Sequence, residues 1–212
     1  PGDRPVVRTE QGRVTAKHVV LAGNAYMGKL IPKLSTRVLP SASSVIATEP
    51  LSKPLAQKLL PGDVAVCDPR TALDYFRLSG DRRMLFGGLS NYTGMEPKNL
   101  VSVMRKKMRN VFPDLADIKV DYAWSGWIGI GINRMPQLGE LTQNIRYIQA
   151  YSGHGVAPTH IMAKITAESI AGESDRFNVM AAIPHMPFPG GRVFGRPLLA
   201  AGMAYYKLLD LR

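Results

Sequence analysis

Apolar and polar residues alternate in one style at the two ends of this chain and in another style in the middle. Residues 6–9 and 14–21 read as two strands around Gln11-Gly12, a hairpin signal. The second closes in the run Val19-Val20-Leu21-Ala22, followed at once by Gly23-Asn24. An apolar run closing on glycine fits a buried parallel strand that delivers its C-terminal end to a ligand crevice. Such a strand takes neighbours on both sides, so further strands are expected upstream of residue 1. From residue 43 to 127 the pattern shortens. Strands are expected over 44–48, 64–67, 75–78 and 84–87, separated by Pro, Gly and Asp turns, with Gly80-Asp81 as a tight hairpin. Ser52 caps a short helix that stops at Pro61-Gly62, and a longer helix runs from Pro97 to Phe112 before Pro113. A further strand is expected over 118–124. The first style then returns: a strand over 145–150, a glycine turn at Gly153-His154-Gly155, and a helix over 156–171 with Gly172 as its C-terminal cap. A loop rich in Pro and Gly (184–197) and a last helix over 198–209 complete the reading.

Composition narrows the class without naming a function. The 212 residues are 45% hydrophobic and 20% charged, which suits one large globular domain or two small ones. The single cysteine, Cys67, excludes an internal disulfide framework and any multi-cysteine metal site, and it fits a reducing cytoplasm. Pro-Gly-Asp-Arg at the start does not read as a signal peptide. No apolar stretch approaches the roughly 18–20 residues that a membrane helix needs. The formal net charge of +11 admits a nucleic-acid partner, an acidic substrate or an acidic partner region. Its densest run, Met104 to Arg109, lies on an amphipathic helix. Leu100, Met104, Met108 and Val111 face one way there, and Lys98, Arg105, Lys106 and Arg109 face mainly outward. No stacking aromatics interleave with these charges, so a solvated face is the expectation.

The strand–Gly-His-Gly–helix element carries the most chemistry. A helix N-terminus presents unpaired N–H groups and a partial positive charge to an anion in front of it. Glycines at 153 and 155 let the backbone approach a flat ligand, and Pro158 fits the first turn. A plain tight connection between strand and helix fits the same residues.

Residues 148–167, I-Q-A-Y-S-G-H-G-V-A-P-T-H-I-M-A-K-I-T-A, resemble the C-terminal flavin-contacting element of the D-amino-acid oxidase family of FAD enzymes, in the branch of gamma-glutamylputrescine oxidase-like proteins. V-V-L-A-G-N-A-Y at 19–26, D-Y-F-R-L at 74–78, R-M-L-F-G-G at 83–88, R-M-P-Q-L-G at 134–139 and P-F-P-G-G at 187–191 agree, in the family's order. The resemblance implies a mixed α/β fold. Residues 1–42 and 143–212 would form part of a Rossmann-like FAD domain, and residues 43–142 an inserted substrate domain built on a mixed or antiparallel sheet with helices on one face. The family's G-x-G-x-x-G diphosphate element is not found. Gly129-Ile130-Gly131 lacks the third glycine and runs into Pro136, so the chain resembles the family's second half, with an N-terminal FAD-binding segment as an expected partner.

Carried over by position, Ala22, Gly23 and Asn24 would lie by the cofactor at a strand end. Gly153, His154, Gly155 and Val156 would face the flavin ring. Tyr75, Arg77, Trp127 and Tyr151 would serve the substrate side. Asn133 stands where the family often has Asp. With no cysteine near the turn, FAD would be held non-covalently. Each residue also has a plain structural reading. Tyr75 and Trp127 suit a core or its rim, Arg77 a surface ion pair, and Cys67 a small buried apolar site. His18, His160 and His185 have no partner at ligand spacing and read as structural or exposed. The implied function is hydride transfer to FAD from the carbon beside an amine, on a small amine or amino-acid substrate, with no nucleic acid and no membrane involved. A non-catalytic partner chain with the same substrate-domain fold is the alternative, and a nucleic-acid binder the third reading.

Overall fold

The computed structural model describes residues 4–70, 73–91, 98–189 and 201. The chain divides into two compact units. One holds residues 1–40 and 128–195, the other residues 41–127 with 196–212, and the divisions fall within two long strands.

In chain order, β1 (Val6–Arg8) and β2 (Arg13–Thr15) form an isolated antiparallel hairpin, Val6 opposite Thr15. The chain then leaves that hairpin through Lys17 and His18, and β3 (Val19–Leu21) starts a second sheet. The single strand expected over 14–21 is thus two. Its first half pairs backward onto β1, while the Val19 N–H donates to the Asn144 carbonyl at 2.9 Å. After a 3-10 turn (Asn24–Met27) and a single helical turn, α1 (Pro32–Ser35), comes β4 (Leu39–Pro50).

The 41–127 unit follows. Helix α2 (Lys53–Leu59) is capped by Ser52, whose hydroxyl accepts from the Leu55 N–H at 3.4 Å. Strands β5 (Val66–Cys67), β6 (Tyr75–Leu78) and β7 (Arg83–Asn91) precede α3 (Leu100–Val111) and β8 (Val120–Ile130). The sheet order is β5-β6-β7-β4-β8, with antiparallel ladders β5–β6, β6–β7 and β7–β4. Alternation along the strands sends one row of side chains to each face. Ile46, Met84 and Phe86 go inward with Met104 and Met108 of α3, Ala56 of α2 and Leu115. Phe76 joins them, stacked on Phe86 at 5.9 Å and edge-on to Phe112 at 4.8 Å. Both helices therefore contribute to the core on one face of the sheet, as expected. Val111 departs from the expected apolar stripe and is exposed. Pro97, the expected opener of α3, lies outside the described residues. Cys67, expected to be buried, is exposed on the short edge strand β5.

The remaining residues return to the first unit. Strand β9 (Gln137–Thr142) pairs antiparallel with β10 (Ile145–Gln149), which pairs parallel with β3 in the register Ile145 to Val19 and Tyr147 to Leu21. Residues 128–142, expected with the middle sheet, belong to this unit because β9 is hydrogen-bonded along β10. Helix α4 (Val156–Ala171) ends on Gly172, whose φ of +106° is the left-handed cap that glycine adopts freely. It packs Met162 and Ile165 on Leu138 and Ile148, closed by Phe177 of α5 (Asp175–Ala181). Ile161, on the adjacent row, is exposed. The expected last helix and the end of P-F-P-G-G fall outside the described residues, apart from the single residue Ala201. No helix among the described residues is long and apolar enough to cross a membrane.

Candidate functional site

Parallel pairing brings the C-terminal ends of β3 and β10 side by side, and with them two of the stretches singled out by sequence. Gly23 opens the 3-10 turn after β3. The Asn24 side-chain oxygen accepts from the Ala150 N–H at 2.8 Å, joining the end of β3 to the end of β10 across 126 residues. Beyond Ala150 the chain turns through Tyr151, Ser152 and Gly153 into α4. The His154 N–H donates to the Tyr151 carbonyl at 3.0 Å, and the Thr159 N–H to Gly155 at 2.9 Å. Gly155 is the N-cap of α4 and supplies no side-chain cap. The first N–H groups of a sixteen-residue helix therefore have no capping side chain. Ala22, Gly153 and His154 are exposed, and Val156 is 85% exposed.

The glycines of this turn differ in what they allow. Gly153 has φ +91°, a conformation L side chains rarely adopt. A Cβ at Gly155 would meet only Tyr151 Cβ, at 3.6 Å, and atoms farther away, so the fold leaves room for a side chain there. Space in front of Gly155, an uncapped helix end and a neighbouring strand end fit the flat, electron-accepting ring of FAD. Residues Gly153 to Val156 would hold it on one side, with Ala22 and Gly23 beside the strand ends. Tyr151 is half-buried, packs against the Leu138–Ile148 cluster, and burial pushes its phenol pKa up.

Three residues that sequence reasoning passed over converge here. Ser152 is buried with φ +54°. Its N–H donates to the Gly129 carbonyl at 2.8 Å, and its hydroxyl accepts from the Gly131 N–H at 3.2 Å. A Cβ at Gly129 would lie 2.2 Å from the Asn24 side-chain oxygen. Gly129 and Gly131 form no diphosphate loop. They are places at the end of β8 and just beyond it where other backbone and side chains approach closely. Their spacing was visible in the sequence, and their partners were not. Asn133 ties the following turn to the C-terminal stretch, donating through Nδ2 to the Pro184 carbonyl at 3.2 Å and lying at the same distance from His185 Nδ1.

Tyr75, Arg77 and Trp127 belong to the other unit. Tyr75 and Arg77 share the face of β6 turned away from the helices. The Tyr75 ring lies against Gly87, where a Cβ would fall 2.0 Å from its Cε2, and its hydroxyl is 3.0 Å from Ser43 Oγ. Arg77 is exposed and donates through Nε to the Leu78 carbonyl at 3.0 Å, so it holds no ion pair among the described residues. The residue just before Tyr75 is anchored instead. Asp74, 2% exposed, pairs with Arg70 at 2.7 Å and with Lys107 of α3. Lys107 thus turns inward from the basic helix, whose Lys106 and Arg109 stay exposed. No cluster of three metal-ligating side chains exists among the described residues. His18 and His160 are exposed.

Residues 2–169 match the family model described as FAD dependent oxidoreductase, DAO. The gamma-glutamylputrescine oxidoreductase of Escherichia coli K12 is 46% identical over 206 residues, covering 97% of this chain and 48% of that protein. A probable oxidoreductase, OrdL, of Haemophilus influenzae is 38% identical, covering 96% of this chain and 47% of its own. The chain thus spans about half the length of the curated relatives it matches. In fold it is similar to glycine oxidase from Bacillus cereus, with a TM-score of 0.63 at 18% identity over 78% of this chain and 46% of that one. It is also similar to L-proline dehydrogenase from P. horikoshii, with a TM-score of 0.62 at 17% identity over 78% and 45%. With the matched family spanning β3, the whole middle sheet and nearly all of α4, the chain belongs to the FAD dependent oxidoreductases of the DAO family.

Proposed function

We propose that this chain forms the flavin-ring and substrate side of an enzyme that oxidises a small amine or amino acid, with FAD held non-covalently. The carrying observation is the uncapped N-terminus of α4, set beside the end of a parallel β3–β10 pair. Bound FAD would supply the acceptor for hydride from the carbon beside the substrate amine. The α4 dipole supports negative charge placed before Gly155, by about 0.3–1 kcal/mol at an exposed helix end and up to ~2 when partly buried. Tyr75 and Arg77 offer a phenol and a guanidinium on one sheet face, suited to orienting a polar substrate and to pairing with a carboxylate where the substrate has one. Tyr151, its pKa raised by burial, keeps its proton through neutral pH and can donate a hydrogen bond. Trp127 adds aromatic surface at the end of the middle unit, 36% exposed. A polyamine conjugate is the favoured substrate class, since the relative at 46% identity is named for gamma-glutamylputrescine. The single cysteine suits a cytoplasmic setting.

Gly155→Val tests this reading, because the fold has room for the side chain. In the polypeptide carrying this sequence at its natural length, the variant should unfold at nearly the wild-type temperature. It should bind FAD more than about tenfold more weakly, a loss of roughly 1.4 kcal/mol. Flavin fluorescence quenching measures the affinity. Equal FAD affinity in both proteins would remove the α4 turn from the cofactor site.

A further inference from the structure

We infer that Asn24 and Ser152 are positioning residues which jointly set the backbone path of the Gly153–Val156 turn. The inference rests on the reading of that turn as the cofactor side. Ala150 and Ser152 are both buried, and both have positive φ, +62° and +54°. L residues rarely adopt this region, and such strain persists only where the surroundings over-determine it. Here they do. Asn24 Oδ1, itself on a residue with φ +45°, accepts from the Ala150 N–H. The Ser152 hydroxyl donates to the Ala150 carbonyl at 3.2 Å while accepting from the Gly131 N–H, and the Ser152 N–H donates to Gly129. Both peptide groups of Ala150 are therefore held by side chains, one from the end of β3 and one from within the turn.

Gly129 completes the device. Any side chain there would collide with the Asn24 oxygen, so the glycine reserves the space through which Asn24 reaches Ala150. The Asn24 oxygen is thus engaged by backbone, and the residue acts on the cofactor through the turn rather than by touching it. Three segments far apart in sequence (Asn24, Gly129–Gly131 and Ala150–Ser152) meet around one peptide. That peptide lies three residues before the exposed Gly153–Val156 edge begins.

The test compares Asn24→Ala, Asn24→Asp and Ser152→Ala in the natural-length protein, with two readouts. Amide hydrogen exchange of Ala150 is measured without cofactor, and flavin affinity and the fine structure of the bound flavin absorption band are measured with it. Asn24→Ala and Ser152→Ala should each speed exchange at Ala150 by about tenfold, loosen FAD binding severalfold and blur the bound-flavin band. Asn24→Asp keeps the acceptor oxygen and should restore both exchange and spectrum. Unchanged exchange in Asn24→Ala would overturn the inference. So would faster exchange with wild-type flavin affinity and spectrum, since the knot would then be structural only. So would failure of Asn24→Asp to recover either readout. A wild-type protein that takes up no FAD would instead overturn the cofactor reading on which the inference rests.

Discussion

Backbone strain is distributed differently in the two units. Among the described residues of the 41–127 unit, the non-glycine residues with positive φ are Asp63 and Arg82, both in exposed turns. In the other unit they include Ala150 and Ser152, which are 0% and 3% exposed. The cores differ in the same sense. The middle unit joins Ile46, Met84, Phe86, Met104, Met108 and Leu115 in one cluster between a sheet and its helices. Among its described residues the first unit has smaller clusters, one under α4 and one around Leu34 and Tyr147. Strain in a solvated turn is easily accommodated, because neighbours can relax. Strain inside the protein survives only when several hydrogen bonds hold it. The middle unit is therefore organised around packing, and the first around a backbone geometry that packing alone would not choose.

The largest expected effect sharpens the packing half of that comparison. Phe86 is fully buried, stacks on Phe76 and sits opposite Met104 and Met108. Phe86→Ala should cost about 3–5 kcal/mol in urea unfolding, as a buried aromatic truncation does. A loss under about 1 kcal/mol would show that the middle core is loose. The next effect addresses strain. Ala47 in β4 and Ala150 after β10 are both buried, and only Ala150 has positive φ. Ala47→Gly should cost roughly 1–2 kcal/mol, from a lost methyl and a more flexible unfolded chain. Ala150→Gly loses the same methyl but relieves about 1 kcal/mol of strain, so it should cost distinctly less. Equal losses at the two positions would mean that Ala150 is not strained.

What the sequence disclosed follows from how far its signals reach. Strand β10 and the apolar end of β3 were legible because each stands just before a turn with glycine, whereas the break between β2 and β3 and the pairing of β3 with β10 have no local signal. Helix α4 was legible from end to end because Gly155 and Gly172 mark both limits. The residues after Trp127 were misassigned because β8 runs on to Ile130 with no local break, and only pairing between β9 and β10 gives 137–142 to the first unit. Asn24 was singled out, yet its partner lies 126 residues away, and no local pattern encodes a bond of that span. Ser152 was given no role, lying between the strand expected over 145–150 and the glycine turn at 153–155. Its φ and its three hydrogen bonds are properties of the assembled strand ends.

The smallest effect tests whether the first unit also depends on a single neutral imidazole. His185 Nδ1 lies 3.2 Å from the Asn133 Nδ2 group, which at the same time donates to the Pro184 carbonyl. Three residues on, the Phe188 N–H donates to Thr36 at 2.9 Å, so the stretch is tied down at both ends. Burial, with a smaller contribution from the Arg37 charge, lowers the His185 pKa. Facing an amide donor, Nδ1 is an acceptor only while it carries no proton. The sign follows from linkage. In the unfolded chain the ring takes a proton at about pH 6.5, whereas the folded protein resists doing so until lower pH. Between those values the unfolded state binds more protons, so stability rises with pH across that window. The contribution is fully present above about pH 7 and is lost as pH falls through the folded pKa. His185→Gln should flatten this part of the curve when urea midpoints are compared between pH 7.5 and 5.5, and exchange of the His185, Met186 and Phe188 amides should lose its acid sensitivity. The shifted carboxylates of Asp68, Asp81, Asp121 and Glu168 have lowered pKa values, so they respond at more acidic pH and leave the window clear. Parallel losses in the wild type and in His185→Gln over that range would assign the titration to another group and leave the strand-end knot as the feature that sets this unit apart.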